Sequence, residues 1–250
     1  MVYGEYMIRE ESFSIGKFPW KLEDLIVELD HFAKLYQTRP IKNNQGGQMA
    51  AQLFYSWFVA KKIQPRFIIE SGVWYGQGTW AFEQACPNAQ LICIDPYPRY
   101  QQGYQSKKAY YVHKDFSSFD WSSLDKSQTL CFFDDHQDAL VRLKFCVDQK
   151  FKHIMFEDNY PPGQGDCFSL KKLFEEDVNL EERKEVVESI KVYHEMPPIV
   201  QPEKNRWNLE WGIYRSKEPL LTNNIQEDLA ATYGEGMQQY TWINYLELVG

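Results

Sequence analysis

The segment FIIESGVWYGQGTWAFEQACPNAQLICIDPYP, residues 67–98, carries the clearest indication of the fold. An apolar run that is typical of a strand leads into a turn containing Gly72, Gly76 and Gly78, and a helix follows. Glycines let the backbone turn and approach a ligand where side chains would clash. A second apolar run, LICI, ends at Asp95, whose carboxylate is placed to accept hydrogen bonds from ribose hydroxyls. The segment therefore predicts a strand, turn, helix and strand that hold a nucleoside-bearing cofactor.

The spacing of these glycines separates two classes of cofactor. It reads G-x-x-x-G-x-G, whereas a dinucleotide-binding turn has G-x-G-x-x-G. The pattern argues against NAD or FAD, and hence against an NAD-dependent oxidoreductase.

Size and composition bound the possible partners. With 250 residues, the chain is long enough for one α/β domain with additions. Its net charge is -8 and it has no extended basic cluster, which disfavours nucleic acid as a partner. It lacks a basic leader followed by an apolar stretch, and no apolar run approaches the roughly 20 residues that span a bilayer. The five cysteines show no C-x-x-C spacing. We therefore expect a soluble cytoplasmic protein with reduced thiols and no membrane contact.

Helical and strand-like patterns alternate along the chain. Apolar spacing predicts helices over residues 22–36, 48–62, 80–86, 137–149 and 168–177. The runs between and after them predict seven strands: FIIE, LICI, YYVHKDF, TLCFFDD, KHIMFED, IKVYHEMPPIV and LEWGIYRS, of which the last two are candidates for an antiparallel pair. This alternation implies an α/β fold, a Rossmann-like, mostly parallel sheet with helices on both faces.

Acidic residues follow each of the first five predicted strands. They are Glu70, Asp95, Asp115, the pair Asp134 and Asp135, and the pair Glu157 and Asp158. Right-handed crossovers bring the carboxyl ends of parallel strands to one edge of the sheet. Open α/β sheets bind ligands in the crevice at that edge. We expect these acids to converge on one site.

With this glycine turn and these acids, the chain resembles the class I S-adenosylmethionine (SAM)-dependent methyltransferases. More narrowly, ESGVWYGQGTW, FFDDHQDAL and IMFEDNYPPGQGDCFSLKKLF resemble the metal-dependent sugar O-methyltransferases of the macrocin O-methyltransferase type. The resemblance to the superfamily covers roughly residues 40–216. It implies a seven-stranded sheet with an antiparallel last strand.

The resemblance also implies roles in cofactor binding. Glu70, Gly72 and Gly76 would lie against the methionine part of SAM, and Asp95 would hold the ribose. Asp115 would meet the adenine amino group, with Phe116 available to pack on the adenine ring. The alternative for Asp115 is that it caps a following turn.

In the resembled family, acids after the fourth and fifth strands hold a metal. The matching residues are Asp134, Glu157 and Asp158, whose oxygens suit a hard cation such as Mg²⁺. His136 occupies the place of a second family aspartate that is associated with proton removal. Its ordinary pKa of about 6.5 suits a general base. Two alternatives stay open: His136 caps the helix that begins near Gln137, or it ligates the metal.

These observations predict a SAM-dependent O-methyltransferase acting on a sugar hydroxyl of a glycan or nucleotide-sugar. Asp134 and His136 would be catalytic. The alternatives are an amine or small phenolic acceptor, and a non-catalytic module with the same fold. We expect one domain, with a helical cover over residues 1–62, a cofactor-binding core over 63–216 and an extension over 217–250. The aromatic segment YTWINYLELV in this extension predicts burial as a strand or helix, within one chain or in a homo-oligomer.

Overall fold

A computed structural model describes residues 13–175, 180–200, 204, 216–221, 226–234 and 240–250. The helices are α1 (Leu22–Tyr36), α2 (Ala50–Ile63), α3 (Gln77–Ala85), α4 (Ala139–Asp148), α5 (Leu170–Glu175), α6 (Leu180–Ser189) and α7 (Glu227–Gly234). The strands are β1 (Phe67–Ser71), β2 (Gln90–Ile94), β3 (Ala109–Val112), β4 (Thr129–Phe133), β5 (His153–Phe156), β6 (Ile190–Glu195) and β7 (Asn244–Leu248). The described elements match the predicted helices to within a few residues at each end.

The strands form one seven-stranded sheet in the order β3-β2-β1-β4-β5-β7-β6. Neighbours from β3 to β5 pair in parallel, and β7 is antiparallel to both β5 and β6. This confirms the predicted Rossmann-like, mostly parallel sheet with an antiparallel last strand.

The seventh strand comes from the aromatic C-terminal segment. β7 inserts between β5 and β6, and all five of its residues are buried. The strand predicted over residues 209–216 lies outside the described residues except for Ser216. The segment YTWINYLELV therefore contains a strand and no helix, and this strand is buried within the chain's own sheet.

Hydrophobic residues fill both faces of the sheet. In β4, Leu130 and Phe132 face one core cluster with residues of α1, α2 and α3, and Cys131 and Phe133 face a second cluster with residues of α4 and α5. This alternation follows from the two-residue period of a strand. Helices on both faces confirm the layered α/β architecture.

Helix α2 is more deeply buried than its sequence indicated. The predicted apolar side, which includes Leu53, Trp57 and Phe58, is buried, but so are all the remaining residues from Ala50 to Ala60. The helix contacts α1, α3 and α7, so it has no solvated face over this length. It connects the N-terminal part of the chain to the sheet.

The five cysteines form no disulfide, as expected from their spacing. Over the ranges that the structure covers, no helix has the length and apolar character needed to cross a membrane.

Candidate functional site

A cavity of about 520 Å³ lies at the carboxyl ends of the parallel strands. Strand pairing brings the ends of β1, β2, β3 and β4 together there. Four acids line it, along with three cations and two aromatic residues: Asp95, Asp115, Asp134, Asp135, Arg99, Lys114, Arg142, Trp74 and Tyr97. The sheet edge that the sequence predicted as the site is therefore a cavity.

Gly72 is the glycine that the cavity wall requires. Its φ is +93°, and a Cβ placed there would lie 2.0 Å from the carbonyl oxygen of Asp134. No other residue type fits between the ends of β1 and β4. Gly76, with φ +87°, is the residue immediately before α3, and a Cβ there would lie 2.1 Å from the carbonyl oxygen of Tyr104. Gly76 is not among the lining residues, so a glycine is needed at this position for the close packing of the turn against Tyr104.

Asp95 binds the turn that follows β1. Its Oδ2 accepts hydrogen bonds from the backbone amides of Val73 and Trp74, both at 3.0 Å, and its Oδ1 accepts from that of Tyr97 at 2.7 Å. Asp95 also lines the cavity. One carboxylate thus shapes the turn and lies where the sequence placed a ribose partner.

Glu70 lies behind this turn and is absent from the cavity lining. It is 2% exposed, and Thr79 Oγ1 donates to its Oε2 at 2.5 Å. Burial raises the pKa of Glu70 to about 8. A Cβ at Gly78 would lie 2.3 Å from Glu70 Oε1, which explains the third glycine of the motif. Glu70 therefore supports the turn from within the protein.

Asp115 is held by Arg142, a residue that no sequence motif indicated. Arg142 contacts both Asp115 oxygens, at 3.0 and 2.5 Å, and its Nε donates to Asp135 Oδ2 at 3.0 Å. The hydrogen bonds from Arg142 lower the pKa of Asp115. Asp115 also caps the short 3₁₀ helix Phe116–Ser118, so the capping alternative is correct and coexists with its place in the cavity wall.

Phe116 does not lie where it was expected, beside an adenine ring in the cavity. Its side chain is fully buried among Trp121, Phe133, Phe145 and Phe151 and does not line the cavity. Its apolar ring is better accommodated in the core than at the cavity, so it is not available to pack on an adenine ring.

Asp134 and His136 line the cavity, Asp158 lies next to them, and one ligand atom from each of the three lies within 4.8 Å of the others. His136 Nδ1 is 3.0 Å from Asp158 Oδ2. Burial and the neighbouring Asp158 and Glu70 carboxyls raise the pKa of Asp134. Such crowding of acids in the protein interior suits a divalent cation, because a cation would compensate their charge.

Glu157 differs from its predicted place in this group. Its side chain is buried, and Thr241 Oγ1 donates to its Oε1 at 2.9 Å. Burial and the nearby Asp158 raise the pKa of Glu157. Among the described residues, the group whose atoms converge contains His136 in place of Glu157.

His136 does not cap the following helix. Asp138 does so, since its Oδ1 accepts from the backbone amides of Leu140 and Val141. His136 itself has φ +53°, an uncommon conformation for a residue other than glycine. The neighbouring Asp158 and Asp166 act against burial and raise the pKa of His136. Capping by His136 is therefore ruled out.

Residues from the N-terminal part of the chain complete the cavity. Gly46 lines it, and Gln45 accepts a hydrogen bond from Trp74 Nε1 at 3.3 Å. Gln48 is 5% exposed, and its Nε2 lies 3.5 Å from Asp134 Oδ2. The loop NNQGGQM therefore reaches the site.

Comparisons with known proteins return only structural likenesses. The sequence matches no family model and no curated protein. An SAH-bound methyltransferase from Podospora anserina has 16% identity and a TM-score of 0.42, over 69% of this chain and 83% of that one. The SAM-bound O-methyltransferase TomG from Streptomyces achromogenes, involved in tomaymycin synthesis, has 14% identity and a TM-score of 0.41, over 67% and 81%. A putative O-methyltransferase from Klebsiella pneumoniae has 13% identity and a TM-score of 0.41, also over 67% and 81%.

Proposed function

We propose that this chain is a SAM-dependent O-methyltransferase that acts on a sugar hydroxyl with the help of a divalent cation such as Mg²⁺. The observation that carries the proposal is the meeting of Asp134, His136 and Asp158 beside a cavity whose wall contains Gly72 and Asp95. The first group suits an acceptor hydroxyl, and the second suits a nucleoside-bearing methyl donor. One cavity thus offers both halves of the reaction.

The donor half is formed by the turn after β1 and the end of β2. Gly72 lets the backbone approach a ligand, and Asp95 is placed for ribose hydroxyls. Asp115 lies further along the same wall for the adenine amino group. When bound, SAM supplies an electrophilic methyl group on a sulfonium. The residues of the cavity align it with the acceptor, and alignment alone can lower a barrier by roughly 7–11 kcal/mol in favourable systems.

The acceptor half needs deprotonation. A sugar hydroxyl is a poor nucleophile, so its proton must leave as the new bond forms. His136 is the candidate base. Asp134 and Asp158 would hold the cation, which lowers the pKa of a hydroxyl that it coordinates. Glu157, which precedes Asp158 in the chain, is itself held by the hydrogen bond from Thr241.

The test uses purified protein, labelled SAM and a panel of glycans and nucleotide-sugars. We expect methyl transfer that falls at least 100-fold in H136A and D134A, the scale typical of a lost general base. The D148N variant serves as a control, because Asp148 ends α4 about ten residues, or about 15 Å, from the helix start near His136. Unchanged rates in both site variants would refute the site assignment.

Two further measurements separate the competing functions. EDTA should abolish transfer and Mg²⁺ should restore it; activity that persists in EDTA would favour an amine acceptor without a metal. Calorimetry should detect SAM binding. No binding at millimolar SAM would identify a non-catalytic module.

A further inference from the structure

The loop after β5 brings an additional carboxylate to His136. Asp166 Oδ1 lies 3.1 Å from His136 Nδ1, and Asp158 Oδ2 lies 3.0 Å from the same nitrogen. Two acids from different parts of the chain thus face one side of the imidazole. The sequence motif NYPPGQGD contains Asp166 but did not single it out.

The loop that carries Asp166 is anchored on both sides. Ser169 Oγ donates to the carbonyl of Tyr160 at 2.5 Å, and Lys172 Nζ donates to that of Cys167 at 2.6 Å. Gly165 has φ +69°, and a Cβ there would lie 2.3 Å from the buried ring of Tyr160. This close approach fixes the backbone next to Asp166. The fold therefore fixes the backbone that carries this carboxylate, and the side chain itself is 69% exposed.

We propose that Asp166 is a positioning residue for His136: its carboxylate accepts the hydrogen bond from Nδ1–H, which leaves Nε2 as the nitrogen that takes the acceptor proton. A histidine's second nitrogen is commonly fixed in this way by a carboxylate partner. Asp166 is 69% exposed and does not line the cavity, so it acts through His136. The inference rests on the proposed function, in which His136 is the base.

The kinetic test compares D166A and D166N with the control D148N. Loss of one hydrogen bond to the imidazole should lower kcat about tenfold in D166A, with the KM for SAM unchanged. The amide oxygen of D166N can still accept from Nδ1–H, so this variant should retain more than half of kcat. A D166A enzyme as active as D148N would overturn the proposal. So would a D166N enzyme as slow as D166A, because a charge would then be required and not an acceptor for Nδ1–H.

A second measurement does not depend on activity. Nitrogen NMR shifts of the neutral His136 ring, assigned by their loss in H136Q, report which nitrogen carries the proton. We expect the Nδ1–H form in the wild type and in D166N, and a population with the proton on Nε2 in D166A. An identical spectrum in D166A overturns the role of Asp166. If the wild type transfers no methyl group, the proposed function fails, while this spectrum still decides whether Asp166 orients the ring.

Discussion

Replacing Glu70 by glutamine should change how stability depends on pH. The Glu70 carboxyl is buried and accepts hydrogen bonds from Thr79 Oγ1 and Cys93 Sγ, and burial raises its pKa from 4.5 to about 8. Between these values the folded state keeps a proton that the unfolded state releases. Raising the pH through this range therefore favours unfolding. The glutamine amide does not ionise and removes this effect.

The magnitude follows from the pKa difference. Each pH unit between the two pKa values of Glu70 contributes about 1.4 kcal/mol. From about pH 5 to about pH 7 the free energy of unfolding of E70Q should rise relative to the wild type by about 2.5 kcal/mol. Below about pH 4 the relative free energy should no longer change with pH, because Glu70 is then protonated in both states.

Urea unfolding at several pH values measures this difference. E188Q is a matched control, since Glu188 is largely exposed on α6 and loses the same carboxyl. Its difference from the wild type should stay nearly constant over the range. If the E70Q and wild-type curves ran parallel, Glu70 would not be protonated in the folded protein, and the reasoning from burial would be refuted.

Three other changes are testable. Burial lowers the pKa of His153 to about 4, so the unfolded state takes up a proton first as the pH falls below about 6.5, and the wild type loses stability. Urea unfolding should show a smaller loss of unfolding free energy in H153N over the same pH range. G72A adds a Cβ 2.0 Å from the carbonyl oxygen of Asp134 at a residue with positive φ, and we expect it to lower the unfolding free energy by about 2–4 kcal/mol. G163A is the control, because Gly163 also has a positive φ but a Cβ there meets no atom within 4 Å. R142K keeps the charge but loses the planar fork that contacts Asp115, so calorimetry should show weaker SAM binding; unchanged affinity would contradict a role for this pair in the cavity.

Much of the sheet could be predicted because its determinants are local. The continuous apolar runs in TLCFFDD and KHIMFED reflect burial of these strands on both faces, and the glycines after β1 reflect backbone geometry at a single turn. β7 could not be assigned in this way. YTWINYLELV is apolar in either conformation, and only its pairing with β5 and β6 makes it a strand.

The candidate site shows the same division. Acids at strand ends are legible in the sequence because parallel strands share one edge, so Asp95 and Asp134 were found. Arg142 and Asp166 were not, since each meets its partner only through contacts between distant segments.

The amino-acid sequence by itself determined which segments form the buried strands β1 to β5, where the glycine turn lies and which acids reach the sheet edge. These features depend on side-chain periodicity and local backbone geometry. Only the tertiary structure decided which side chains meet: it placed Phe116 in the core, Glu70 behind the turn, and His136 between Asp158 and Asp166. Side-chain neighbours across tens of residues are set by how helices and loops pack on the sheet, and no local pattern records that packing.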